Sequence, residues 1–161
     1  VAEQAGDEAK DGVEVVETGQ GKFQVMVTSG VHRMIADEPK DVGGFDSGPS
    51  PYGYLSAALG ACTVMTLRMY AERKGLDIER IGTRVLHGKV HAADCEECSE
   101  SVKSRNGKID RFERLITLEG NLDEATRTRL LEIADKCPVH RTLEAGAAVV
   151  TRDVSPGKAE A

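Results

Sequence analysis

The sequence predicts an α+β fold. Three observations carry it. Short strand-like stretches separated by glycine turns open the chain, one long apolar helix follows, and two longer strand-like stretches precede further helices. Strands, a helix, strands and then helices is the α+β order, and no internal repeat interrupts it.

Residues 1–12 are polar, acidic and expected to be frayed. Val13–Thr18, Lys22–Thr28 and His32–Ala36 read as strands. Gly19-Gln20-Gly21 and Ser29-Gly30 supply the turns, so the three form an antiparallel meander. Asp37 to Pro51 is a Gly- and Pro-rich loop. Ser50 is a good helix N-cap and Pro51 fits the first helical position. The helix then runs to about Lys74 and stops at Gly75, with Arg73 and Lys74 complementing its C-terminal dipole. From Tyr54 to Met65 it is apolar nearly all round, which requires burial on most sides, by its own sheet and by a second subunit.

Thr83–Ala92 and Lys108–Glu119 read as strands, with Phe112, Ile116 and Leu118 on one face of the second. The polar stretch Ala93–Asn106 joins them as a long hairpin tip. Asn121-Leu122-Asp123-Glu124 has the form of a capping box. The helix after it sets Leu130, Ala134 and Cys137 on one stripe, and Pro138 either ends that helix or opens another. Ala147–Arg152 is expected to be a last strand. The domain thus covers 13–153, and 154–161 is a tail.

At 161 residues the chain suits one domain with a real core. Hydrophobic content of 40% with 30% charged residues fits a globular protein. The net charge of -6 and the absence of Trp argue against nucleic acid as a partner. The apolar run Tyr52–Leu67 is too short, and too charged after its end, to span a membrane. No basic segment followed by an apolar one opens the chain, so a secretion signal is not expected. Four cysteines in that setting point to a reducing cytoplasm, where thiols are packed, catalytic or metal-bound.

Those cysteines fall into two groups. Cys62 lies within the apolar helix, and Cys137 lies at a helix break before Pro138. An apolar helix interior raises a thiol's pKa. The dipole opposes a Cys137 thiolate at the end of one helix and favours it at the start of the next. The pair is either inert packing or a redox couple. The second group is Cys95-Glu96-Glu97-Cys98, whose spacing suits zinc or a redox pair. His91 with Cys95 and Cys98 supplies three zinc ligands and needs a fourth, such as Asp94. His87, on the same strand face as His91, stands ~13 Å from it and cannot join one metal.

Gly48-Pro49-Ser50-Pro51 opening a helix, Ala57-Ala58-Leu59-Gly60-Ala61-Cys62 inside it and Cys137-Pro138 much later together resemble the OsmC/Ohr family (osmotically inducible protein C and organic hydroperoxide resistance proteins). Cys137-Pro138-Val139-His140-Arg141-Thr142-Leu143 is similar to one bacterial branch of it. The resemblance spans about residues 13–152. It implies an intertwined homodimer, with antiparallel sheets wrapped around long central helices and sites at the subunit interface. It implies a thiol peroxidase that requires no cofactor. Cys62 would attack an organic hydroperoxide and become a sulfenic acid, Cys137 would resolve it to a disulfide, and a small dithiol or lipoyl-type reductant would reset the pair. The apolar pocket would be lined by Tyr52, Tyr54 and Met65. Family peroxidases use an Arg and a Glu to polarise thiol and peroxide. Arg33 is the candidate Arg, but Tyr52 and Gly53 follow Pro51 where the Glu belongs. That departure favours an alternative, a non-catalytic small-ligand-binding protein with structural cysteines.

Overall fold

The structure, a computed structural model, describes residues 12–154 except 97, 99 and 105. The expected N-terminal fraying through residue 11 and the tail from 155 lie outside the described residues. The strands are β1 (Val13–Glu17), β2 (Val25–Ser29), β3 (His32–Ala36), β4 (Arg80–His91) and β5 (Lys108–Glu119). The helices are α1 (Pro51–Lys74), α2 (Glu100–Lys103), α3 (Glu124–Ala134) and α4 (Pro138–Ala145). The chain divides into two compact units. One holds the described residues up to Ala61 with Thr83–Leu115; the other holds Cys62–Gly82 and the residues from Ile116 on.

In the first unit β1, β2 and β3 form an antiparallel sheet in that order, with Val15 opposite Val27 and Val27 opposite Met34. The second strand starts later than its sequence suggests. The Thr18 amide donates to the Gln24 carbonyl at 3.2 Å, and its hydroxyl donates to the Gln24 side chain at 2.8 Å, so Lys22–Gln24 belong to the turn. The loop before α1 is built around Asp37, only 2% exposed. Its carboxylate accepts bonds from the Glu38, Phe45 and Ser47 amides and from the Ser47 hydroxyl at 2.7 Å. Ser50 then accepts from the Gly53 amide at 3.2 Å, the N-cap expected beside Pro51.

The main buried cluster lies in the second unit: Leu67, Ala71, Ile78, Ile81, Leu130, Ile133 and Ala134. Helix α1 ends as its sequence predicts. Gly75 has φ of 63°, its amide bonds to Glu72 and the Leu76 amide reaches back to Ala71, a Schellman closure. Arg68 donates to the Ile78 carbonyl at 2.8 Å and ties the following segment to the helix.

Two expectations are corrected. The N-cap of α3 is Asp123, not Asn121: Asp123 accepts from the Thr126 amide at 2.7 Å. A turn from the Leu122 amide to Gly120 holds those residues out of the helix, and Leu122 packs on the core. Ala147–Arg152 forms no strand; Val149 and Val150 are exposed and the segment has no regular structure. A strand needs a partner's backbone groups, and among the described residues the segment pairs with no strand. Among the described residues no helix is long and apolar enough to cross a membrane.

Candidate functional site

Cys62 and Cys137 belong to the same unit, and each thiol shifts the ionisation of the other. Each is placed by its own element. Cys62 sits on α1, partly exposed, with Thr63 and Thr66 beside it on that helix. Cys137 is fully buried at the junction of α3 and α4. Helix α3 stops at Ala134, and Cys137 becomes the N-cap of α4, with Pro138 in the first turn. Its carbonyl accepts the first bond of the new helix from Arg141 at 3.1 Å. So Pro138 opens a helix, and the sulfur lies at that helix's positive end.

The two thiols have opposite characters. Burial pushes the Cys62 thiol up, and the neighbouring Cys137 raises it further; the Val139 amide and Thr66 hydroxyl offset only part. Burial also opposes a Cys137 thiolate. Bonds from Cys62, from the His140 and Val139 amides and from the Thr63 hydroxyl outweigh it, and Cys137 titrates below the ordinary thiol value. The Cys137 side chain closes no regular capping bond, so these amides act on it as weak donors and dipoles. No guanidinium is among the leading influences on either sulfur.

An apolar cavity of about 380 Å³ adjoins this region of the second unit. Thr66, Met69, Tyr70, Ile133 and Pro138 line it, with Arg73 and Lys136 contributing cations. Thr66 also acts on Cys62, and Pro138 follows Cys137. The residues expected to line a pocket lie elsewhere. Met65 is 64% exposed on α1. Tyr54 donates to the Ile35 carbonyl at 2.7 Å, which fixes the start of α1 against β3.

Tyr52 stacks on His87 with ring centroids 4.2 Å apart. Phe112 covers the imidazole from 4.6 Å. His87 and Lys89 both reach Oδ1 of Asp110 at 2.8 Å. Those two bonds hold the Asp110 carboxyl below its usual range against the opposing effect of burial. Arg33 is exposed on β3, opposite Thr28, in the first unit, whereas the thiol pair is in the second. The sequence missed Thr63, Thr66 and the α4 amides as thiol partners. Their signal was present: threonines one and four residues after Cys62, and a Pro directly after Cys137.

The zinc expectation named Cys95, Cys98 and His91. Cys95 and Cys98 are joined as a disulfide, which leaves neither sulfur as a thiolate for metal. His91 is exposed at the end of β4. Among the described residues no group of three His, Cys, Asp or Glu side chains is placed to hold a metal ion.

The profile of the family described as OsmC-like protein matches residues 44–152. A search of curated proteins found no significant match. Solved structures match over most of their length. An OsmC like protein from Mycoplasma pneumoniae is 17% identical with a TM-score of 0.64, covering 86% of this chain and 89% of that one. The organic hydroperoxide resistance protein OsmC of Legionella pneumophila is 16% identical with a TM-score of 0.60, covering 86% and 91%. The organic hydroperoxide resistance protein OhrB of Bacillus subtilis is 20% identical with a TM-score of 0.53, covering 82% and 88%. At these identities the likeness is one of fold.

Proposed function

The chain belongs to the OsmC-like protein family, and on that premise we propose that it reduces organic hydroperoxides with the Cys62 and Cys137 thiols, in oxidative-stress defence. The single observation that carries this reading is that two free thiols from distant segments lie in one unit and shift each other's ionisation. Inert packing does not need two free thiols at one spot, one of them at a helix N-terminus. Cys62 is the more accessible sulfur and attacks the peroxide O–O bond. The resulting sulfenic acid condenses with Cys137, which closes the path to overoxidation. A small dithiol or lipoyl-type reductant then restores both thiols. The apolar cavity favours an organic peroxide over hydrogen peroxide. The reading takes the protein as a cytoplasmic homodimer and Arg33 as the guanidinium that polarises the peroxide.

Reduced protein mixed with cumene hydroperoxide is expected to lose the Cys62 and Cys137 thiols together, with a disulfide between them in the mapped peptides. If both stay reduced under excess peroxide, the reading fails. One observation favours a second reading, a non-catalytic binder of a small apolar ligand. Tyr52 is engaged in a stack with His87, where family peroxidases place a carboxylate. In that case native mass spectrometry retains a ligand, and Cys62→Ser does not release it.

A further inference from the structure

A second pair of sulfurs lies outside the proposed peroxide chemistry. Cys95 and Cys98 are joined at the tip between β4 and β5, in the first unit, whereas Cys62 and Cys137 are in the second. We propose that Cys95 and Cys98 form an independent redox centre, a reversible disulfide that exchanges with uncharged dithiols. No step of this exchange passes through Cys62, Cys137 or a peroxide, so it goes beyond the peroxidase reading and does not depend on it.

Three observations point to exchange rather than to a structural staple. The bond joins residues only three apart. A disulfide stabilises a fold mainly by restricting the unfolded chain, and the shortest loops restrict it least. The tip is closed by backbone bonds in any case: the Ala92 amide donates to the Gly107 carbonyl at 3.0 Å, and the Cys95 amide to the Ala92 carbonyl at 3.3 Å. Next, the Cys98 amide donates to the Cys95 carbonyl at 3.2 Å. That turn keeps the two residues together when the S–S bond opens, so reoxidation joins thiols already in place. Last, the two cysteines differ in access, Cys95 being buried and Cys98 half-buried. An incoming thiolate therefore attacks Cys98, and Cys95 is the leaving group.

The surroundings select the reductant. Asp94, Glu96 and Glu100 are exposed around the pair, and Glu97 lies between the cysteines in the sequence. Lys103 is engaged with Glu100 at 3.4 Å. An acidic rim repels an anionic thiol and leaves an uncharged one unaffected. A monothiol is also disfavoured by mechanism. Once bound to Cys98 it is expelled again by Cys95 beside it, whereas a dithiol completes the exchange with its own second sulfur.

The steps balance. One thiolate of the dithiol attacks Sγ of Cys98, a mixed disulfide forms, and the Cys95–Cys98 bond breaks. Cys95 leaves as a thiolate and takes up a proton. The second sulfur of the reductant, deprotonated, then attacks the first, the mixed disulfide breaks, and Cys98 leaves and is protonated. The dithiol loses two electrons and two protons and becomes a disulfide. The cysteine pair gains both and becomes two thiols. Reoxidation runs the same steps backward with an external disulfide as the acceptor.

The test uses the full chain, without denaturant or peroxide. Protein is treated anaerobically with dithiothreitol, free thiols are blocked with N-ethylmaleimide, and the peptide holding Cys95 and Cys98 is read by mass spectrometry. The disulfide is expected to open within minutes and to re-form when dithiothreitol is replaced by 2-hydroxyethyl disulfide. A bond that opens only in denaturant is a staple and overturns the proposal. So does a reduced pair that forms no mutual disulfide in excess 2-hydroxyethyl disulfide. At equal thiol concentration and low salt, glutathione should open the bond at least about tenfold more slowly than dithiothreitol. Added salt should narrow that gap. Glutathione that matches dithiothreitol at low salt overturns the choice of reductant. The order of attack is read in two variants whose thermal melts report their folding. With 2-hydroxyethyl disulfide, Cys95→Ser should take up a mixed disulfide at Cys98 faster than Cys98→Ser does at Cys95; equal rates overturn the assignment of Cys98 as the attacked sulfur. The Cys62 and Cys137 peptides are read separately under cumene hydroperoxide, so either proposal can fail alone.

Discussion

Asp37 organises the loop that delivers the chain to α1. Burial opposes its ionisation, while the Ser47 hydroxyl and the Glu38, Ser47 and Phe45 amides favour it and hold the carboxyl below the usual carboxylate range. A folded-state pKa below the unfolded one gives stability that is present above the unfolded value. It is lost as pH falls through the depressed folded value. Melting temperatures of wild type and Asp37→Asn, followed from pH 7 down to 2, should therefore converge in acid. The variant melts lower at pH 7, where it leaves donors in a buried loop without a charged acceptor. Two curves that stay parallel throughout would remove Asp37 from this role. The residue was unreadable as an anchor in the sequence, where Asp37-Glu38-Pro39 shows only a polar loop. Its donors come from up to ten residues away, and no local pattern encodes that closure. The cysteines were legible by contrast, because their contexts are local: an apolar helix for one, a following Pro for the other. At the same scale Leu130 is fully buried in the main cluster. Leu130→Ala should cost about 2–5 kcal/mol in urea unfolding, the range for a buried leucine whose cavity cannot collapse.

At the scale of elements, glycines at positive φ separate two kinds of constraint. Gly75 has φ of 63° with open space where a Cβ would project. Gly120 has φ of 137°, and a Cβ there would lie 2.6 Å from the Asp77 carbonyl oxygen. Gly75→Ala therefore costs only the left-handed penalty of about 1–2 kcal/mol. Gly120→Ala must add a displaced backbone to its own strain. Chemical denaturation should rank Gly120→Ala clearly below Gly75→Ala in stability, and equal costs would contradict the crowding. Gly75 as a helix stop was readable, since Arg73-Lys74-Gly75 is a local signal. Gly120 was not, because its neighbour lies more than forty residues earlier. The same distinction explains the expected strand at Ala147–Arg152. Its β-branched residues match a strand, but a strand exists only with a partner edge, and sequence composition carries no information about that edge.

At the scale of the whole molecule, the apolar surface is the remaining question. Val13, Val15 and Val16 of β1 are more than half exposed, and Met65 and Met69 of α1 are 64% and 70% exposed. Scattered apolar residues need no explanation, but valines on both faces of one strand and two methionines one turn apart on one helix do. The sequence already placed more apolar residues around α1 than a small sheet can cover. We expect a second copy to cover them. Sedimentation equilibrium should give twice the chain's mass at micromolar concentration. Met65→Glu combined with Met69→Glu should shift the protein toward the single-chain mass, because a buried carboxylate without a partner strongly opposes association. These two side chains are solvent-exposed in the single chain, so the variant leaves the core around Leu67 and Leu130 intact and folds as a monomer. A wild-type protein that sediments as one chain at every concentration would refute the dimer. A double variant that stays dimeric would move the interface away from this face of α1. Cys62 lies on the same helix as these methionines, one turn before Thr66, with Met65 between them. Loss of the dimer should therefore also change the access of iodoacetamide to Cys62, which ties the assembly to the chemistry in a single measurement.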